Sequence, residues 1–125
     1  MLASNLLRIS VIFILVGMAV GIGMGMAQDF RLAPAHAHLN LLGFVLLFLA
    51  GLYYHVAPDA AATGLARTQA FIAVIGAIVL PVGIGATVLY GPGYEVLPIV
   101  GSLIVFLGMI LFALIVFRHG VKPRM

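Results

Sequence analysis

The chain has 125 residues, of which 65% are hydrophobic and only 7% charged, with a mean hydropathy of +1.31 and a formal net charge of +3. That composition excludes an ordinary water-soluble domain. The absence of cysteine excludes disulfides, thiolate metal sites, iron–sulfur clusters and covalent c-type heme attachment.

Apolar runs of about 20 residues, enough to cross a bilayer, occur four times, near residues 9–27, 36–57, 68–89 and 96–117. The stretches between them, 28–35, 58–67 and 90–95, are short, which forces neighbouring helices to run antiparallel. The expected fold is therefore an all-α, integral membrane four-helix bundle forming a single domain over 1–125, with the lipid bilayer as its surroundings. Arg8, Arg67, Arg118, Lys122 and Arg124 fall on one side of this arrangement and Arg31 on the other. The positive-inside rule then puts both termini in the cytoplasm, as in a prokaryotic inner membrane, with Asp29 and Glu95 outside. The basic residues act as topology signals at span ends and not as a nucleic-acid surface.

In the first span Gly17, Gly21 and Gly25 recur every four residues and form a smooth stripe. Such a stripe lets a neighbouring helix approach closely; a flat macrocycle lying against it is the alternative. Met24 and Met26 lie near the outer end, where a thioether could complete a heme or join imidazoles around Cu(I), or simply pack. Ala33-Pro-Ala35 has the form of a signal-peptide cleavage site, but the preceding apolar stretch is too long for a signal-peptide core. The segment is expected to remain as a helix.

The second span opens on His36 and His38 in the run Pro34-Ala-His-Ala-His-Leu-Asn-Leu-Leu-Gly43. An imidazole inside a membrane is rare and costly to desolvate. At about 100° per residue the two rings leave opposite sides of the helix, so they cannot share one metal or heme. They would serve two cofactors, or one cofactor and one hydrogen-bond partner. The plainer alternative is two polar residues wetted in the first helical turn. Asn40, one turn after His36, could orient a ring nitrogen, and Gly43 leaves space on the same face. His55 ends this span about 26 Å from His38 along the axis, too far to share a cofactor. His119 is expected at the same inner face, where both rings would be solvated or, as the alternative, would meet around a second heme. In the third span Pro81, with Gly83 and Gly85, is expected to kink the outer half. Tyr53, Tyr54, Tyr90 and Tyr94 read as interfacial belt residues. Asp29, Asp59 and Glu95 all lie outside the spans, and the lack of an intramembrane carboxylate argues against an ion pump.

The second span, with its ending Ala50-Gly-Leu-Tyr-Tyr-His-Val-Ala-Pro58, resembles the heme-ligating helices of the heme-copper oxidase catalytic subunit, nearest its nitric oxide reductase and C-type oxidase branches. The first span, with its spaced glycines and Met-Ala-Gln28 exit, resembles that family's first span. The resemblance covers the first half of the chain and implies a small, one-arc version of a much larger subunit. It implies that His36 binds a high-spin heme and His38 a low-spin one, or that His38, in His38-Leu-Asn40, is a lone low-spin ligand. The family's copper site needs three further histidines on other helices, and these are absent from the spans here, so oxygen reduction by that mechanism is not expected.

Three functions follow as expectations. The first is a membrane b-type heme protein for electron transfer or diatomic gas binding. Its heme would be held by His36 or His38, with Asn40 and Gly43 beside it, between subunits of a homo-oligomer (dimer or trimer) that supplies the second ligand. The second is a copper-handling protein using Met24, Met26, His36 and His38. The third is a cofactor-free accessory subunit. The redox partner is not legible.

Overall fold

A computed structural model describes residues 1–121, and every regular element among them is helical. Helix α1 covers Leu2–Ala27, α2 Ala33–Val56, the short α3 Pro58–Ala61, α4 Gly64–Tyr90 and α5 Val96–Arg118, with one 3₁₀ turn at Pro92–Tyr94. α1, α2, α4 and α5 supply the four segments long and apolar enough to span a membrane. α1 and α4 start earlier than the hydropathy suggests, at Leu2 and Gly64, because the helices continue through polar residues such as Ser4 and Arg67. Lys122 and Arg124 lie outside the described residues.

The helix ends follow from local chemistry. Gln28 closes α1 in the left-handed conformation, at φ 50°, with its N–H on the Met24 carbonyl. Its side chain donates to the Gly25 carbonyl at 2.7 Å, so the freed acceptors of the last turn are satisfied locally. Pro34 then sits in the first turn of α2, where its missing N–H costs nothing. Thr63 caps α4 by accepting from the Ala66 N–H at 3.1 Å, and Gly91, at φ 99°, ends it.

Helix α2 is not uniform. Residues Leu39–Leu46 form a π-helical segment between α-helical ends Ala33–His38 and Leu47–Val56. The looser winding of a π turn begins at the residue after His38. By contrast α4 runs unbroken through Pro81, so the expected kink is not expressed as a break. Pro81 is buried and lines a groove shared with α1 and α2.

Lipid supplies no hydrophobic drive for helix association, so close packing must hold the bundle together. The outer surface is accordingly apolar, with Ile12, Leu15, Leu103 and Phe106 each more than half exposed. Inside, small residues on one helix take large ones from the next. A Cβ added at Gly51 would meet the Leu7 side chain at 3.0 Å, and one at Gly43 would meet Phe13 at 2.7 Å. Further along, His36 lies over Gly21 and Asn40 over Gly17. These pairings run in opposite senses along the two helices, so α1 and α2 are an antiparallel hairpin. α4 and α5 form a second, closer one. A Cβ at Gly101 would lie 2.7 Å from the Leu80 backbone, one at Gly83 2.6 Å from the Pro98 nitrogen, and one at Gly76 2.8 Å from Val105.

The two hairpins meet through α2 and α4. At one end Gly85 faces Leu32 and Ala35. At the other, the Tyr54 hydroxyl, on a residue only 1% exposed, donates to Gln69 Oε1 at 2.7 Å. Tyr53 and Tyr54 both pack edge-on against Phe112 of α5, with centroids 5.3 and 6.1 Å away. Tyr54 is therefore a core residue and not the belt residue its position near a span end suggests. Tyr90 and Tyr94, exposed and 5.8 Å apart, do sit at a bundle end.

Candidate functional site

His36 and His38 of α2 lie at the end of the bundle that carries the 28–32 and 91–95 connections, opposite the end that holds Arg67 and Arg118. Their local setting starts in the connection before them. The Arg31 side chain clips Asp29 with contacts of 2.7 to 3.1 Å. These bonds hold the Asp29 carboxyl at about 2, below the ordinary 3.8. This exposed clip sets the chain's direction into Pro34.

His36 turns toward α1. Its Nδ1 lies 2.8 Å from the Gly17 carbonyl oxygen, which can only accept, so Nδ1 carries the proton. Nε2 is then an acceptor, and the Asn40 Nδ2 donates to it over 3.4 Å. Gly17 and Gly21 leave the room this arrangement needs, since a Cβ at Gly21 would come within 2.9 Å of His36 Cε1. Both nitrogens of His36 thus have partners inside the bundle. The Asn40 Oδ1 is buried without a conventional partner among the described residues and rests against the Gly17 backbone.

His38 has a different setting. Its Nδ1 lies 2.7 Å from the Pro34 carbonyl, four residues back on its own helix. The carbonyl again fixes the proton on Nδ1, so Nε2 presents a lone pair, with no partner among the described residues, at the partly exposed surface of α2. A ring anchored through Nδ1–H to a backbone carbonyl, with a basic Nε2 free, is how ligand histidines are held. Anchoring fixes the tautomer and the ring plane together.

The other expected ligands part company. Met24 is 9% exposed and Met26 83% exposed, so the two thioethers face opposite environments and do not form one cluster. Gly43 offers no space for a cofactor, because Phe13 fills it. Of the glycine stripe, Gly17 and Gly21 are covered by Asn40 and His36, and only Gly25 is open. The stripe serves helix packing here and leaves no face for a macrocycle. Among the described residues no three His, Asp or Glu side chains come together as a metal site. At the far end His55 is exposed, while the His119 carbonyl accepts from the Tyr53 hydroxyl. That second contact, and the buried Tyr54–Gln69 pair, carry no sequence motif. The one hint was an amide, Gln69, in an apolar span.

Beside His36 an apolar groove of about 600 Å³ opens between α1, α2 and α4, lined in part by Phe13, Val20, Leu39, Ile78 and Pro81. With both His36 nitrogens engaged, that groove has no free ligand atom from His36. Of His36 and His38, it is His38 whose Nε2 is left to reach a group outside the bundle. Comparison with family models, with curated proteins and with solved structures gives no match.

Proposed function

We propose that this chain is a membrane b-type heme protein, a one-arc relative of the heme-copper oxidase catalytic subunit, serving electron transfer or diatomic gas binding. The observation that carries the proposal is His38: a tautomer fixed by the Pro34 carbonyl and an unengaged Nε2 at the protein surface. Because that nitrogen sits outside the bundle's own packing, His38 of this chain together with His38 of another copy would hold the heme between subunits of a homo-oligomer. Bound there, heme would supply a one-electron iron couple or a binding site for a diatomic gas. The chain's own part is to orient His38 through Pro34 and to brace that turn through His36, Asn40 and Gly17. With the basic end inside, both termini are cytoplasmic and the heme lies near the outer face of a prokaryotic inner membrane.

The test is an optical spectrum of the purified protein, oxidised and dithionite-reduced, repeated on His38→Ala and His36→Ala. Sharp reduced α and β bands, lost in His38→Ala and kept in His36→Ala, are expected. Colourless protein from heme-replete cells would overturn the proposal. In that case the saturated hydrogen bonding of His36 favours the cofactor-free accessory subunit over the copper reading, whose methionines lie apart.

A further inference from the structure

The inner half of the bundle holds a second cavity, of about 240 Å³, between the π segment of α2 and the facing sides of α4 and α5. Leu42 and Leu46 of the π segment, Ala73 of α4, and Val105 and Phe112 of α5 are part of its wall. Leu49 and Met109, 55% and 40% exposed, stand at its rim on the lipid-facing surface. Its one polar neighbour is Gln69, whose Oε1 is already engaged by the Tyr54 hydroxyl.

Three features keep this space from collapsing. The α4–α5 distance is fixed by backbone contact at Gly83 and Gly101, and Gly108 lies against the Ala73 backbone. The α2–α4 distance is fixed by the buried Tyr54–Gln69 bond. The third wall is the π segment, whose wider turns are set between two ordinary α-helical ends.

A water molecule needs two to four polar partners to stay in a cavity, whereas an engineered apolar cavity of about 150 Å³ stays dry and takes up xenon or benzene. We infer that this cavity is a binding site for one small apolar molecule, of the size range from a diatomic gas or xenon to benzene, entering from the bilayer between Leu49 and Met109. The inference stands apart from the heme proposal, since it uses neither histidine.

Xenon is the probe. In protein held in phospholipid nanodiscs with methyl-labelled leucine, xenon pressure is expected to shift the Leu42 and Leu46 methyl resonances saturably. Lipid-facing Leu15 and Leu103 should respond only linearly, as membrane partitioning requires. Ala73→Leu, which fills the wall, should abolish the saturable component; Leu46→Phe, read at Leu42, makes the same comparison if Ala73→Leu does not fold. Equal linear responses at all four leucines would overturn the inference, as would a saturable response that survives filling. A response present in detergent but absent in nanodiscs would assign the space to a lipid acyl chain, and would overturn it too.

Discussion

The Asn40 carboxamide occupies the space that a side chain on Gly17 would need, and the Gly17 carbonyl in turn receives the His36 Nδ1–H at 2.8 Å. One residue of α1 thus offers both the hole and the acceptor that seat the polar start of α2. Polar groups in a membrane need their hydrogen bonds met locally; the Gly17 carbonyl meets that of His36 Nδ1, and Asn40 Nδ2 that of His36 Nε2.

Gly17→Ala should therefore be destabilising. Overpacking a close contact costs about 1–3 kcal/mol, read as a lower thermal midpoint in detergent. Asn40→Ala in the same chain should restore much of the loss, because the two side chains compete for one space. Independent, additive effects in the double-mutant cycle would show that the two positions do not share that contact.

Gly25→Ala is the contrasting substitution. Nothing lies within 4 Å of a Cβ there, and alanine is the better helix former by about 0.5–1 kcal/mol. A neutral or slightly raised midpoint is expected, whereas Gly101→Ala, facing the Leu80 backbone at 2.7 Å, should lower it. Equal behaviour of the two variants would mean that α4 and α5 are not held by close backbone approach.

Tyr54→Phe removes the donor to Gln69 Oε1 and leaves a buried acceptor unmet, a cost of about 1–3 kcal/mol. Tyr54→Phe combined with Gln69→Leu takes away both partners and should recover much of the stability. Chemical denaturation in mixed micelles measures both.

The heme proposal fixes a ratio. If His38 of two copies holds one heme, pyridine hemochrome analysis against protein concentration should give one heme per two protomers. His38→Ala should then convert the protein to heme-free material while leaving its helical circular dichroism intact. A ratio of one per protomer would place the second ligand within the same chain.

The Asp29–Arg31 clip predicts a pH dependence with a definite sign. The folded carboxyl sits at about 2, below its ordinary 3.8, chiefly because the Arg31 side chain donates to it. A depressed value means that the clip contributes fully above pH 3.8 and is lost as the pH falls toward 2. The Asp29 carboxyl carbon resonance should titrate with its midpoint near 2, and Arg31→Gln should return that midpoint toward 3.8.

The four spans were legible because about 20 consecutive apolar residues have few other uses, and the short connections gave their alternation. The pairing of His36 with Asn40 was legible too, since four residues bring side chains to one face of a helix. What they face was not: nothing in the sequence says that Gly17 and Gly21 receive Asn40 and His36 and not a ring. The π segment was hidden as well, because Leu39–Leu46 has the composition of any buried helix. So was the burial of Tyr54, which depends on a glutamine fifteen residues away. Hydropathy reports which residues leave water, but not which of them meet.

The two glycine-keyed hairpins have a consequence for how the chain assembles. Each of α1–α2 and α4–α5 carries its own interlocking contacts, while the halves join through a short list that includes Tyr54 with Gln69 and Gly85 with Ala35. Between them runs only the short α3 and the capped turn to Thr63. The chain is thus built as two hairpins, each with its own interlock. Its halves, produced as separate polypeptides cut between Ala61 and Thr63, should find one another in the bilayer and rebuild the bundle.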